Sequence, residues 1–112
     1  MTKRLSENSG ELLRSLVEFD RVIHEPSRLM IAAILYVVDS ADFLYMQRET
    51  GLTKGNLSSH LARLEEAGYV LVEKTYRGKI PLTICKLTVE GRKAFEDYRL
   101  QMKKFVDKSI ME

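Results

Sequence analysis

Leu57-Ser58-Ser59-His60-Leu61-Ala62-Arg63-Leu64-Glu65-Glu66-Ala67-Gly68-Tyr69-Val70 is the stretch that decides the fold. Leu57, Leu61 and Leu64 stand at i, i+4 and i+7, one apolar stripe along a helix of period 3.6. Gly68 closes that helix, because glycine accepts the left-handed backbone of a helix C-terminus. Beyond it the period changes to two, and Tyr69-Val70-Leu71-Val72-Glu73-Lys74 is rich in β-formers. At the other end Thr53 is a good N-cap. Further upstream Asp42 can cap a short helix, Phe43 to Thr50, with Gly51 at its C-terminal glycine position. Two helices parted by a turn that holds Gly51 make a helix-turn-helix.

The pattern extends in both directions. Downstream, Tyr76-Arg77-Gly78-Lys79 reads as a polar turn and Ile80 to Leu87 as the return strand, with Pro81 suited to an edge. Thr88 caps a last helix, Glu90 lies in its first turn, and Phe95, Tyr98, Met102 and Phe105 recur along it at 3-4-3 spacing. Upstream, Pro26 suits the first position of a helix whose segment Leu29 to Val38 is apolar on every side, the mark of a central core helix. Before it, Leu12, Leu16, Phe19 and Ile23 at 4-3-4 spacing predict a helix over Gly10–Ile23, capped by Ser9 and ending near His24. Residues 1–9 are polar apart from Met1 and Leu5 and are expected to be disordered. Residues 10–112 are expected to form a single domain.

Composition narrows the function classes. A chain of 112 residues with 45% hydrophobic content fits one core. Eighteen Lys and Arg against sixteen Asp and Glu leave a net charge of +2. That balance allows a nucleic-acid partner without demanding one. The single cysteine, Cys85, excludes an internal disulfide and a cysteine-cluster zinc site, so a reducing cytoplasm is the expected compartment. Leu29 to Val38 is about half the length of a bilayer span, and Met1 to Glu7 lacks the apolar segment of a signal peptide, so no membrane partner is expected. There is no Gly-rich phosphate loop, no Cys–His pair at usable spacing and no coherent carboxylate pair, so an enzyme is not expected. No cofactor and no metal are expected either.

Helix, helix, helix-turn-helix, hairpin, helix is the plan of a winged helix, mainly α with a β-hairpin wing. Leu57 to Val70 closely resembles the recognition helix and following strand of MarR- and ArsR-like transcriptional regulators. Leu87-Thr88-Val89-Glu90-Gly91-Arg92 resembles the segment that opens the helix after the wing in the same families. The resemblance spans roughly residues 25–100. It implies a homodimeric transcriptional regulator that binds double-stranded DNA sequence-specifically, with the helix at about 53–68 in the major groove and the wing at about 74–80 on the backbone or minor groove. The cysteine pairs through which some ArsR-like regulators sense metals are missing here, and no residue names a small-molecule effector.

The residues themselves support a DNA reader. At about 100° per residue, Gly55, Ser59 and Ala62 point away from the leucine stripe, and Ser58 and Arg63 lie on its flanks. Asn56, Ser58, Ser59 and Arg63 are therefore the candidates for base edges or phosphates. Thr53 and Lys54 stand at the helix N-terminus, where free N–H groups attract a phosphate. Arg77 and Lys79 flank Gly78 at the wing tip, with Lys74 on the strand leading in. The apolar stripes Leu12, Leu16, Phe19 and Phe95, Tyr98, Met102, Phe105 are the candidate dimer interface, because a narrow 3-4-3 stripe suits a two-helix seam. His60, at the border of the core, reads as a packed or hydrogen-bonded histidine, His24 as surface or cap chemistry, and Cys85 as a buried inert thiol. The rival reading is a winged helix that binds protein; it would show an apolar patch in place of Lys54, Arg63, Arg77 and Lys79 on one face.

Overall fold

Pro26 opens helix α2 (Pro26–Val37), around which the rest of the molecule packs in a computed structural model that describes residues 7–111. Its missing N–H falls among the unpaired donors of a first turn. Glu25 caps the helix, its carboxylate accepting the Arg28 N–H at 2.7 Å. Ile31, Ala32 and Leu35 are fully buried. Helix α3 (Phe43–Thr50) adds Met46 to this core, and α4 (Lys54–Glu66) adds Leu57, Leu61 and Leu64, the predicted stripe. Asp42 and Thr53 cap these two helices as their side chains allow, accepting from the Tyr45 and Asn56 N–H groups at 2.8 and 3.1 Å.

The sheet is antiparallel and three-stranded, in the order β1 (Ala41–Asp42), β3 (Ile80–Leu87), β2 (Val70–Arg77). Two residues are too short for a strand pattern, so β1 was invisible in the sequence; it pairs Ala41 with Cys85. Strand β2 runs three residues past Lys74, because the hairpin closes through Gly78-Lys79 alone, with Arg77 opposite Ile80. Gly78 supplies the left-handed φ of 63° that this short turn requires.

Helix α5 (Val89–Met111) begins where Thr88 Oγ1 accepts the Gly91 N–H at 2.9 Å. The N-terminal segment corrects the expectation. Instead of one helix over Gly10–Ile23, α1 (Glu7–Ser15) gives way to a single 3-10 turn, Leu16–Glu18, and an extended Phe19. The Asp20 carboxylate then takes the Val22 and Ile23 N–H groups at 2.8 and 3.1 Å. That local bond competes with helical pairing. Ser9 lies inside α1 and is not its cap. Of the stretch expected to be disordered, Glu7 to Ser9 belong to α1 and residues 1–6 lie outside the described residues.

The candidate dimer stripes are also placed differently. Phe19, Phe95 and Tyr98 are buried in the chain's own core, and Leu16, Met102 and Phe105 lie half-buried against it; Leu12 is half-buried too. Phe19 meets the Tyr98 and Phe105 rings edge-on, at 5.4 and 6.4 Å between centroids. The neighbouring residues Leu13, Val17, Leu100, Val106 and Ile110 are the ones that face outward. The radius of gyration is 17.4 Å, against about 13 Å for a compact chain of this length. Helix α5 is 23 residues long, about 34 Å, and α1 packs beside it; the two make up the arm of the molecule.

Candidate nucleic-acid interface

The first half of α4 presents small polar groups to solvent. With Leu57, Leu61 and Leu64 committed to the core, Lys54, Asn56, Ser58, Ser59, Ala62 and Arg63 are all exposed, as is Thr53 before them. Thr53 spends its hydroxyl on the Asn56 N–H, and its carbonyl accepts the Leu57 N–H at 2.9 Å. The remaining first-turn N–H groups face outward beside Lys54, an electropositive end. Arg63, two turns on, pairs with Glu66 at 3.4 Å. Both side chains are well exposed, so that pair contributes little and leaves Arg63 free to exchange partners. Glu65 and Glu66 make the far end of α4 acidic. A polyanion is therefore favoured at the N-terminal half alone.

Beside α4 stands the wing. Register puts Val72, Lys74 and Tyr76 on the face of β2 that turns toward α4, with Leu71, Glu73, Thr75 and Arg77 on the other. Lys74 and Lys54 line one open cleft, floored by Leu61 and Val72 and edged by Ser58, Ala62 and Thr83. Arg77 and Lys79 are exposed at the tip. Ser58, Lys54 and Lys74 thus share the cleft between α4 and the hairpin.

Three sets of contacts hold α4 in place, the first two of them unforeseen. Arg28 donates Nε–H to the Val22 carbonyl at 2.7 Å and lies 3.2 Å from His60 Nδ1 through Nη1. Arginine only donates, so Nδ1 accepts from it when the imidazole is neutral. Glu25 completes this group, 3.7 Å from His60. Burial alone would raise the Glu25 carboxyl, but the Arg28 and Ser27 N–H groups and the His60 and Arg28 charges hold it below its ordinary range. Second, Tyr69, just past α4, donates its hydroxyl to Asp20. That hydrogen bond, then burial, pushes the phenol up to about 12. Third, Gly68 with φ 80° closes α4, its N–H bonding Glu65 O at 2.9 Å while the Tyr69 N–H bonds Leu64 O at 2.9 Å. The first two join residues 32 and 49 positions apart, beyond any local pattern.

The other polar candidates have structural roles. His24 is exposed, and its Nδ1 lies 2.8 Å from the Tyr98 hydroxyl. Cys85 is fully buried, and burial, with Glu65 and Asp42 nearby, pushes its thiol up to about 11, the opposite of an activated nucleophile. Among the described residues no helix is long and apolar enough to cross a membrane.

The family model described as "Winged helix DNA-binding domain" matches residues 27–106. The chain belongs to the winged helix DNA-binding domain family. Its winged helix is 38% identical over 79 residues to the uncharacterized protein MJ0432 of Methanocaldococcus jannaschii, covering 70% of this chain and 85% of that one. It superposes on the transcriptional regulator homologue protein of Pyrococcus horikoshii OT3 with a TM-score of 0.79 and 29% identity, over 87% of this chain and 95% of the other. YusO of Bacillus subtilis (TM-score 0.71, 19% identity, 91% of this chain and 70% of that one) shares the fold. So does a MarR-family transcriptional regulator of Silicibacter pomeroyi (TM-score 0.61, 17% identity, 89% and 64%). The winged helix expected from Leu57 to Val70 is the fold observed, and the characterised architecture it shares is that of transcriptional regulators.

Proposed function

We propose that this winged helix is a homodimeric transcriptional regulator that binds double-stranded DNA sequence-specifically. One observation carries the reading: the exposed face of the first half of α4 is small and polar, and the hairpin beside it raises Arg77 and Lys79 at its tip. Small side chains let a helix lie deep in a major groove. Ser58, Ser59 and Asn56 then meet base edges, Thr53 and Lys54 hold the backbone, and Arg63 serves either. Lys74, Arg77 and Lys79 meet phosphates from the wing.

The dimer rests on the arm. Leu13, Val17, Leu100, Val106 and Ile110 are large apolar side chains exposed on α1, the turn after it and α5. A second arm laid against the first covers them. Two α4 helices then face a pseudo-palindrome with half-sites about 34–36 Å apart.

Fluorescence anisotropy with a duplex enriched from a randomised pool tests the reading. Binding weakens as salt rises, and Arg77→Ala with Lys79→Ala flattens the slope of log K against log salt by roughly one unit per lost phosphate contact. Ser59→Ala relaxes base preference at one position per half-site and spares non-specific affinity. An enriched site without dyad symmetry, or an unchanged slope, would count against it.

A further inference from the structure

Tyr69 stands where α4 meets both helices of the arm. Its backbone carries α5: the carbonyl accepts the Thr88 N–H at 3.0 Å, and a Cβ on Gly91 would overlap the same oxygen. Its side chain holds the segment that follows α1, through the hydroxyl donated to Asp20. Both holds lie one residue past Gly68, which closes α4. The surroundings oppose the second one. An open cleft runs between residues 16–20 and α5, lined by Glu18 and Asp20 on one side, Glu90 and Asp97 on the other, and Tyr69. Lys93 lies there too, paired with Asp97 at 3.0 Å. Carboxylates on facing walls repel. Asp20 gives Oδ1 to the Val22 and Ile23 N–H groups and Oδ2 to Tyr69, so without the phenol Oδ2 is left in the acidic cleft with no donor. Burial of Phe19 and Ile23 also holds the segment, but burial has no direction, and the hydrogen bond does.

We infer that Tyr69 is a positioning residue that fixes the angle between α4 and the arm, and with it the half-site spacing that the two α4 helices of a dimer accept, an assignment that rests on the dimeric DNA-binding reading above. On its other flank α5 is already fixed, because Tyr36 of α2 takes both Phe95 and the Arg92 guanidinium. At about 100° per residue, Glu90, Ala94 and Asp97 lie on the flank opposite Arg92, Glu96 and Arg99, so the acidic cleft is the side of the arm that can open. Each α4 is carried at one end of an arm whose α5 is 23 residues long, about 34 Å. A small change of angle at Tyr69 therefore displaces the two α4 helices relative to one another. Tyr69 is not among the residues proposed to meet DNA, so its effect is on spacing and not on the contacts within a half-site.

Duplexes that carry the enriched site at its own half-site spacing, and with the spacing shortened or lengthened by two base pairs, test this beside a duplex with a single half-site. Two base pairs move a half-site by about 7 Å and turn it by about 70°. Anisotropy titrations are made with the wild type, with Tyr69→Phe, and with Tyr69→Phe combined with Asp20→Asn, at a temperature where circular dichroism shows each of them folded. The wild type should lose about a hundredfold on the altered spacings, the avidity of a second half-site that geometry puts out of reach. Tyr69→Phe should lose about tenfold or less there, and should bind the single half-site with wild-type affinity and an unchanged salt slope. Asp20→Asn in that background removes the unpartnered charge and should restore most of the spacing penalty. Tyr69→Phe with the full wild-type penalty would overturn the inference and leave the function standing. So would a proportional loss on every duplex, the single half-site included, or a double variant as tolerant of spacing as Tyr69→Phe. A wild type that binds all spacings alike would overturn the dimeric reading and the inference together.

Discussion

Gly91 is held by sterics. A Cβ on it would stand 2.0 Å from the Tyr69 carbonyl oxygen and 2.7 Å from its carbon. The same oxygen accepts the Thr88 N–H at 3.0 Å, and Thr88 Oγ1 donates to Gly68 O at 2.6 Å. The first turn of α5 is therefore pressed onto the backbone that leaves α4. Gly91→Ala must part the two, at a cost of about 1–3 kcal/mol or more. Calorimetry should show the melting temperature falling by about 4–8 °C for each kcal/mol; an alanine variant that melts with the wild type would mean that the backbones separate freely. Tyr69 makes a second prediction at this scale. Its phenol titrates near 12 in the folded chain against 10.0 for an ordinary tyrosine, so its contribution to stability is whole below pH 10 and is lost as pH rises through 12. Tyrosinate absorbance should show one late phenol in the native protein that Asp20→Asn moves earlier. Tyr69→Phe should flatten the alkaline part of the stability profile, and an identical profile in this variant would disprove the coupling.

At the scale of elements, α4 depends on a residue outside the helix-turn-helix. The Arg28 side chain is only 14% exposed and joins the Val22 carbonyl, His60 on α4 and Glu25. Lysine keeps the charge without the planar fork that reaches several partners at once. Arg28→Lys should therefore cost about 1.5–3 kcal/mol, the scale of a hydrogen bond to a charged group, read from urea unfolding. Because Arg28 touches no surface proposed to meet DNA, its effect on DNA affinity should track stability and leave the salt slope as it was. A flattened slope would place Arg28 among the phosphate contacts.

The whole molecule separates two kinds of apolar residue on α5. Phe95 and Tyr98 are 7% and 4% exposed, and Leu100 and Val106 are 57% and 41% exposed. Phe95 lies 4.9 Å from Tyr36 between ring centres, tilted by 39°, and the Arg92 and Arg99 guanidinium groups stand 4.9 and 5.6 Å from the Tyr36 ring centre. Phe95→Ala should thus destabilise the fold itself by about 3–5 kcal/mol. Leu100→Glu with Val106→Glu should act on the arm instead, giving a folded monomer in sedimentation equilibrium where the wild type is a dimer. A wild type that sediments as monomer at tens of micromolar would refute the dimer.

The features legible in residue order are those that short-range physics controls. The Leu57, Leu61, Leu64 stripe, the Asp42 and Thr53 caps, the glycines at 51, 68 and 78 and the change of period at Gly68 each depend on bonds a few residues long, and each stands where the pattern put it. The exposed polar face of α4 follows, since burying one stripe leaves its complement outside. Tertiary structure decided the rest. Phe95 and Tyr98 form an apolar stripe in either case, but periodicity shows that a face is apolar and not what covers it; Phe19 and Tyr36 do, brought from 79 and 59 positions away. The break after Ser15 had the same origin, for Leu12, Leu16, Phe19 and Ile23 keep helical spacing while the Asp20 carboxylate and the pull of Phe19 and Ile23 into the core end the helix. Strand β1 exists because β3 was already there to pair with it. Contacts across such separations are paid for in loop-closure entropy and repaid by burial, and neither quantity is written in the spacing of residues along the chain.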